Sequence, residues 1–568
     1  MFFMTSSVDP SSFSPSRRSV LRAGAATAAV VGASTLVNGA IAKAEAEDVA
    51  PAAPEGHQVF QHGVASGDPM DTSVLLWTRA TSHPGDIPGS EQGSEVKLRW
   101  EVAADEAFAN IAASGEAAAV PGNDNTVKVD ATGLQPDTWY NFRFTVTEGE
   151  YQGQTSPVGR TRTNPSTGVT PESLGIALTS CANWEAGYFS AYRDMSVNPE
   201  VDIIMCVGDY LYEYERGGYT GKSGAIRDHE PPHEIISLAD YRRRYGHYRT
   251  DPDLQAAHQM KPWMVTWDDH EVANDSYNTG AENHDPETEG DYVARRDAAI
   301  QAYLEWLPVR AVPFSQGGKL YRTFNYGDLA EIVMLDLRTY RDQPMEFRNV
   351  GQIDDESRSM LGSEQLNYLH DKWKTSSSTW NLVGNSVMFT PVLIPPLDPE
   401  TSGAVAELMG LPEEGIPYNL DQWDGFAAER RRLIQMMGDE GLDNIVFLTG
   451  DIHSSWACDI PVTAGRYPAD GIAAVEIVGT SVNASNIDDI VKLPQRNGIS
   501  QTAEQALMAA NRHIKWIQFD HHGYCTVKVR PNEILAEWRF VEDKTIPNQP
   551  LYTAMNYRVV RGQGISPA

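Results

Sequence analysis

From about residue 55 to 162, apolar and polar positions alternate with a period of two, in 74–79, 96–102, 126–130 and 139–146, with Gly, Pro and Asp between the runs. Alternation of this kind predicts strands with one buried face, and so a small all-β sandwich. A polar, turn-rich stretch at 161–171 reads as a linker, and beyond it the period changes. Short unbroken apolar runs at 175–181, 201–207, 262–267 and 444–450 are spaced by amphipathic stretches at 187–197, 238–248, 291–307, 363–375, 425–438 and 501–512. Further strand-like runs lie at 329–335, 380–389, 473–478 and 524–529. This order predicts an α/β domain, a layered sheet with helices outside. Residues 391–424, rich in Pro, Gly and acidic side chains, read as a long surface loop. No internal repeat is visible.

The four unbroken runs share an ending. The first stops at Cys181 and the second at Gly208-Asp209, with Tyr212 three residues on. The third stops at Asp268-Asp269-His270-Glu271, followed by Asn274 and Asp275, and the fourth at Gly450-Asp451-Ile452-His453. Four buried strands ending in metal-ligand residue types predict a metal-dependent hydrolase, because open α/β sheets bind ligands at such strand ends. A carboxylate and a phenolate suit a hard trivalent cation, and a thiolate completes that set when the metal is iron. Three carboxylates around His270 would repel one another without a cation. Plainer readings apply elsewhere: Glu271 and Asp275 as hydrogen-bond acceptors behind the ligands, His258, His521 and His522 as ordinary histidines, and the arginines of Tyr241-Arg-Arg-Arg-Tyr245 as solvated charge. The four cysteines show no metal-ribbon spacing, and Cys206 reads as a small core residue. In the sandwich, Leu-Gln-Pro-Asp-Thr-Trp-Tyr at 134–140 resembles the tyrosine corner of fibronectin-like and immunoglobulin-like domains, which makes Tyr140 structural.

The chain has 568 residues, 41% hydrophobic and 21% charged, enough for two packed domains. Its formal net charge of −32 speaks against nucleic acid or an anionic membrane as a standing partner, since both need a basic face. A phosphate site would then be a local positive spot made by metals and a few arginines. Residues 1–44 differ from the rest: Ser16-Arg17-Arg18, a mild apolar run, then Ala42-Lys43-Ala44. This is the order of an export signal with paired arginines, and the expected location is outside the cytoplasm. No other stretch approaches the roughly 18 uncharged apolar residues of a membrane helix.

Gly208-Asp209, Asp269-His270-Glu271 and Gly450-Asp451-Ile452-His453 resemble the blocks of calcineurin-like metallophosphoesterases. Ser180-Cys181, Val207-Gly208-Asp209-Tyr210, Trp267-Asp268-Asp269-His270-Glu271 and Leu335-Asp336-Leu337-Arg338 are similar to the PhoD family of exported alkaline phosphatases and phosphodiesterases. The resemblance divides the chain into an export signal (1–44), an N-terminal sandwich (55–162) and a metallophosphoesterase domain (172–545). It implies a ferric ion and two calcium ions under one phosphate. Cys181, Asp209, Tyr212, Asp451 and His453 would hold iron; Asp209 would bridge to calcium, joined by Asp268 or Asp269 and by Asn274. His270 would sit beside the phosphate, and Arg338 would clamp it, since a guanidinium pairs bidentately with two oxygens. Ser386 stands where the family pattern has Gln, which leaves that segment without an assigned role. The resemblance implies hydrolysis of phosphate mono- or diesters, with export by the twin-arginine machinery. The alternatives are a phospholipase D and a cell-surface binding module with a structural metal; Cys181 and Tyr212 are poor calcium ligands and speak against the second.

Overall fold

The computed structural model describes residues 57–568, so the export signal read in 1–44 lies outside it. Two sheets face each other. The larger runs, edge to edge, through Gly564–Pro567, Leu551–Val560, Ile534–Val541, His522–Val529, Leu174–Thr179, Ile203–Val207, Pro262–Thr266, Val64–Gly67, Ser73–Arg79 and Thr126–Thr132. The second runs through Arg322–Tyr326, Ala330–Met334, Trp380–Asn385, Ile445–Thr449, Ile472–Val478, Ser455–Pro461 and Ile514–Gln518. Both have a parallel centre: Leu174–Thr179, Ile203–Val207, Pro262–Thr266 and Val64–Gly67 in one, and Ala330–Met334, Trp380–Asn385, Ile445–Thr449 and Ile472–Val478 in the other.

Ile203–Val207 is apolar throughout because it is covered on both faces, while the parallel strands of the second sheet admit single buried polar residues such as Glu331, Asn381 and Glu476. Ile203, Met205 and Val207 point between the sheets, against Met334, Leu382 and Leu448. Ile204 and Cys206 point the other way, into a layer built on Ser190–Val197, Leu238–Tyr248, Pro252–Met260 and Tyr292–Trp306. Helices Gly362–Thr375 and Ala427–Asp439 cover the outer face of the second sheet through Leu369, Trp373, Leu433 and Met437. The catalytic part is thus layered helix, sheet, sheet, helix. Helix starts follow local signals: Ser237 and Asp240 form a capping box, and Asp291 accepts from the Ala294 amide.

Two expectations change. The N-terminal sandwich exists, with Val74, Leu76 and Val127 packed on Leu98, Phe142 and Phe144, and the Tyr140 hydroxyl accepts from the Gln135 amide at 2.9 Å. One of its two sheets is no separate sheet, because Val64–Gly67 pairs in parallel with Pro262–Thr266 and continues the catalytic sheet. Residues 391–424 also carry more structure than a loop: a hairpin of Leu393–Pro396 with Gly415–Pro417 and the helix Pro399–Met409. Among the described residues all four cysteines are buried and unbridged, and no helix is long and apolar enough to cross a membrane.

Candidate active site

The site begins where the parallel strands end. Cys181, Asp209, Asp451 and His453 all have left-handed backbones, with φ of 61°, 53°, 65° and 52°. Such conformations cost non-glycine residues on the order of 1–3 kcal/mol each and gather at functional sites, where the surrounding structure enforces them. Two glycines allow the strand ends to meet. At Gly208, with φ 113°, a Cβ would stand 2.3 Å from that of Asp268; at Gly450 it would stand 2.6 Å from Ser180 Oγ.

Cys181, Asp209 and His453 each bring a donor atom within 4.8 Å of the other two. The Tyr212 hydroxyl donates to Asp209 Oδ2 at 3.0 Å and lies 3.1 Å from His453 Nε2. His453 Nδ1 is 2.9 Å from the Ser485 carbonyl, which can only accept, so the ring proton is assigned to Nδ1 and Nε2 faces the site. One phenolic proton cannot serve both Asp209 and His453, and Asp209 Oδ1 is buried without a hydrogen-bond partner. Burial first, and then the Asp209 carboxylate, push the Cys181 thiol well above its ordinary pKa, as expected of a ligand that ionises only against a cation. The pocket fits a metal that accepts a thiolate, a phenolate, a carboxylate and an imidazole.

A second, all-oxygen group adjoins it. Asp269 is shared by three clusters: with Asp209 and His270, with Asp268 and Asp451, and with Asp275 and Asp421. Asp451, expected beside Cys181, groups here with Asp268 and Asp269, and its Oδ2 accepts from Gln422 at 2.8 Å. Asn274 is anchored by its own amide on Glu213 at 2.8 Å, and its side-chain nitrogen donates to Glu282 at 3.1 Å. Burial raises the Asp268 pKa well above the carboxylate range despite Arg338. Carboxylates crowded in this way repel one another unless a cation lies among them, so the group fits a metal ion held by oxygen.

The expected phosphate clamp is corrected by the geometry. Arg338 is 1% exposed and grips Asp268 through Nε at 2.5 Å and Nη2 at 2.9 Å, while Nη1 reaches Asp421 at 3.0 Å. With Asp269 at 3.5 Å and Asp451 at 3.7 Å, it is the internal counter-ion of the carboxylates and faces no cleft. The arginines of 242–244 are corrected too. Arg242 and Arg244 are buried, and Arg244 donates to the carbonyls of Tyr212, Tyr214 and Pro231, pinning the loop that bears Tyr212. Glu271 is a hydrogen-bond acceptor, taking the amides of Asp268, Asp209 and Tyr210; burial and Asp209 push it up to about 8.

Sequence reasoning missed Glu213, Asp421, Gln422 and Ser485. Glu213 accepts from His270 Nδ1 at 2.7 Å. Burial would lower the His270 pKa, but Glu213, Asp269 and Asp209 outweigh it and raise the ring to about 10. An acidic residue directly after Tyr212 was the available signal for Glu213; the other three gave none. Beside the site opens a cleft of about 680 Å³, lined by His270, Asn274, Asp451 and His453 and by the aromatic rings of Tyr214, Tyr219, Tyr277, Phe347 and Tyr418.

Residues 176–538, which carry every group just described, match the model of the PhoD-like phosphatases. The chain belongs to this family. Residues 43–165 match the PhoD-like phosphatase N-terminal domain. Alkaline phosphatase D of Bacillus subtilis (strain 168) is 35% identical over 505 residues, 88% of this chain and 80% of the relative. The solved structure of PhoD superposes with a TM-score of 0.78 at 34% identity, covering 91% of this chain and 93% of that one. As a PhoD-like phosphatase the protein is a phosphoric ester hydrolase, and its donor clusters make it a metal-dependent one.

Proposed function

We propose that this chain is an exported alkaline phosphatase that cleaves phosphate monoesters and diesters, using one ferric ion and calcium. The observation that carries the reading is the sorting of donors: a thiol and a phenol converge with Asp209 and His453 on one side, while Asp269, Asp268, Asp451 and Asn274 offer only oxygen on the other. Cys181, Asp209, Tyr212 and His453 would hold the iron; Asp269, with Asp209 and Asn274, would hold calcium, and Asp268 is engaged by Arg338. Bound there, the cations supply positive charge at the phosphate and make a strong nucleophile available near neutral pH.

The chain's own groups do the rest. His270, fixed through Nδ1 by Glu213, stands on the cleft wall as the phosphate contact. Arg338 and Arg341 hold the carboxylates in register through Asp268 and Asp421. The tyrosines lining the cleft would exclude water from the ester and offer flat faces to its organic part. Export is supported by Ser16-Arg17-Arg18 and the mild apolar run after it. A phospholipid diester is the second reading, favoured by Met345, Phe347 and Leu420 on the same wall.

Elemental analysis of the purified protein, run beside hydrolysis of matched monoester, diester and phospholipid substrates, tests the whole reading. About one iron per chain with calcium is expected, with calcium removable by chelation, activity lost reversibly, and iron retained. Zinc without iron would refute the metal assignment, and preference for the phospholipid would favour the second reading.

A further inference from the structure

One loop touches both halves of the thiol pocket. Between Ile472–Val478 and the short helix Ile487–Val491, Val482 and Ala484 donate their amides to the carbonyls of Ser180 (3.0 Å) and Cys181 (3.3 Å). The Asn483 side chain accepts from the Asn183 amide at 2.7 Å, and the Ser485 carbonyl orients His453. The same loop therefore sets the backbone under Cys181 and the tautomer of His453.

The loop is itself held from behind by a residue distant in sequence. Lys544, just beyond the strand Ile534–Val541, is 7% exposed, and its ammonium donates to the Asn483 carbonyl at 2.9 Å and to Asp489 Oδ2 at 2.5 Å. His522 Nε2 lies 3.1 Å from the same nitrogen. The other Asp489 oxygen accepts from the Lys222 amide at 3.0 Å, and the Asn183 side chain donates to the Tyr219 carbonyl at 2.9 Å, so the segment bearing Tyr219 is tied in as well. Lysines are almost never buried unless paired, because desolvating the ammonium is costly. A methionine would fill the same space, so what the position adds is three directed donors.

We propose that Lys544 is a positioning residue for the metal pocket: by fixing loop 481–489 it sets the geometry in which Cys181 and His453 meet one ion. The proposal rests on the reading of that pocket as a metal site. Its test is Lys544→Met in the full chain, read by iron per chain, the visible band that a phenolate bound to ferric iron would give, calcium content and hydrogen exchange of the amides of Val482 and Ala484. Outer partners of metal ligands typically govern affinity by about 10–100-fold, and a fall of that size in iron affinity is expected. Calcium content and KM should be unchanged, kcat should follow the iron, amide exchange should quicken, and Lys544→Arg should restore iron in part. If the single variant does not fold, the Lys544→Met, Asp489→Asn pair removes the stranded buried charge, and the same iron loss is expected. A folded variant with native iron affinity and band overturns the proposal. If the native protein carries no iron, the metal reading fails; unchanged amide exchange would then sink the loop-holding role independently.

Discussion

At the scale of single residues, most of the site's character comes from Tyr212. Its hydroxyl touches Asp209 and His453 while its ring packs on His270, with centroids 4.2 Å apart, and stacks with Tyr219 at 5.4 Å. Phenylalanine would keep the packing and remove only the oxygen. If the phenolate binds ferric iron, the native enzyme absorbs in the visible by charge transfer, which calcium and zinc cannot produce. Tyr212→Phe should then lose the band and most turnover together, while the urea midpoint of the metal-free protein changes little, since the ring packing is kept. A Phe variant that keeps its band, or a colourless native protein holding one iron, would show that Tyr212 is not a ligand.

At the scale of elements, the parallel strands explain why the ligands meet. Each strand is buried on both faces, so its end is placed by packing to within a side-chain rotamer, and the strained turns after it aim the donors. The strand Pro262–Thr266, which leads to Asp268 and Asp269, has the N-terminal strand Val64–Gly67 as one of its two neighbours, in register Ser66 with Pro262. Arg322 further bridges the parts by pairing with Asp68 at 2.7 Å. Removing everything before residue 172 would bare that strand's edge and leave Arg322 buried beside no carboxylate. Such a truncated chain should be insoluble or fail to bind calcium, and recovery of a soluble, active fragment would show that the sandwich is a separable module.

At the scale of the whole molecule, buried neutral histidines couple stability to pH on the acid side. His513 is held by burial at about 4, as is His247, and His62, His229 and His258 lie well below their ordinary value for the same reason. A folded-state pKa below the unfolded 6.5 means that the unfolded chain binds protons first. The stabilisation from these neutral rings is complete above about pH 6.5 and drains away as pH falls toward 4. Buried carboxylates such as Glu271, which take up protons first in the folded state, oppose this fall, so the test is differential: His513→Gln, which keeps a donor for the Pro391 carbonyl, should lose less stability between pH 6.5 and 4 than the native chain does. Parallel urea-midpoint curves for the two proteins over that window would rule the mechanism out.

The sequence by itself determined the elements and the chemistry of the strand ends. Period and apolar run length located the parallel strands other than Val64–Gly67, and six helices, because buried strands and amphipathic helices must write their faces into the chain. Cys181, Asp209, Tyr212, the Asp268 to Glu271 run and the Asp451-His453 pair stood out because each follows such a strand directly. What only the tertiary structure decided was who faces whom. Arg338 looked like a clamp in one dimension and proved to be enclosed by Asp268, Asp269 and Asp421, since nothing local records which partners a guanidinium will find. Asp451 clusters with Asp268 and Asp269 while its charge still bears on Cys181, and His453 clusters with Cys181 and Asp209. Glu213 on His270, Ser485 on His453 and Lys544 on the loop between them are contacts across 57, 32 and 61 residues. Contacts at such separations depend on how strands and loops stack in space, and a linear pattern carries no trace of that.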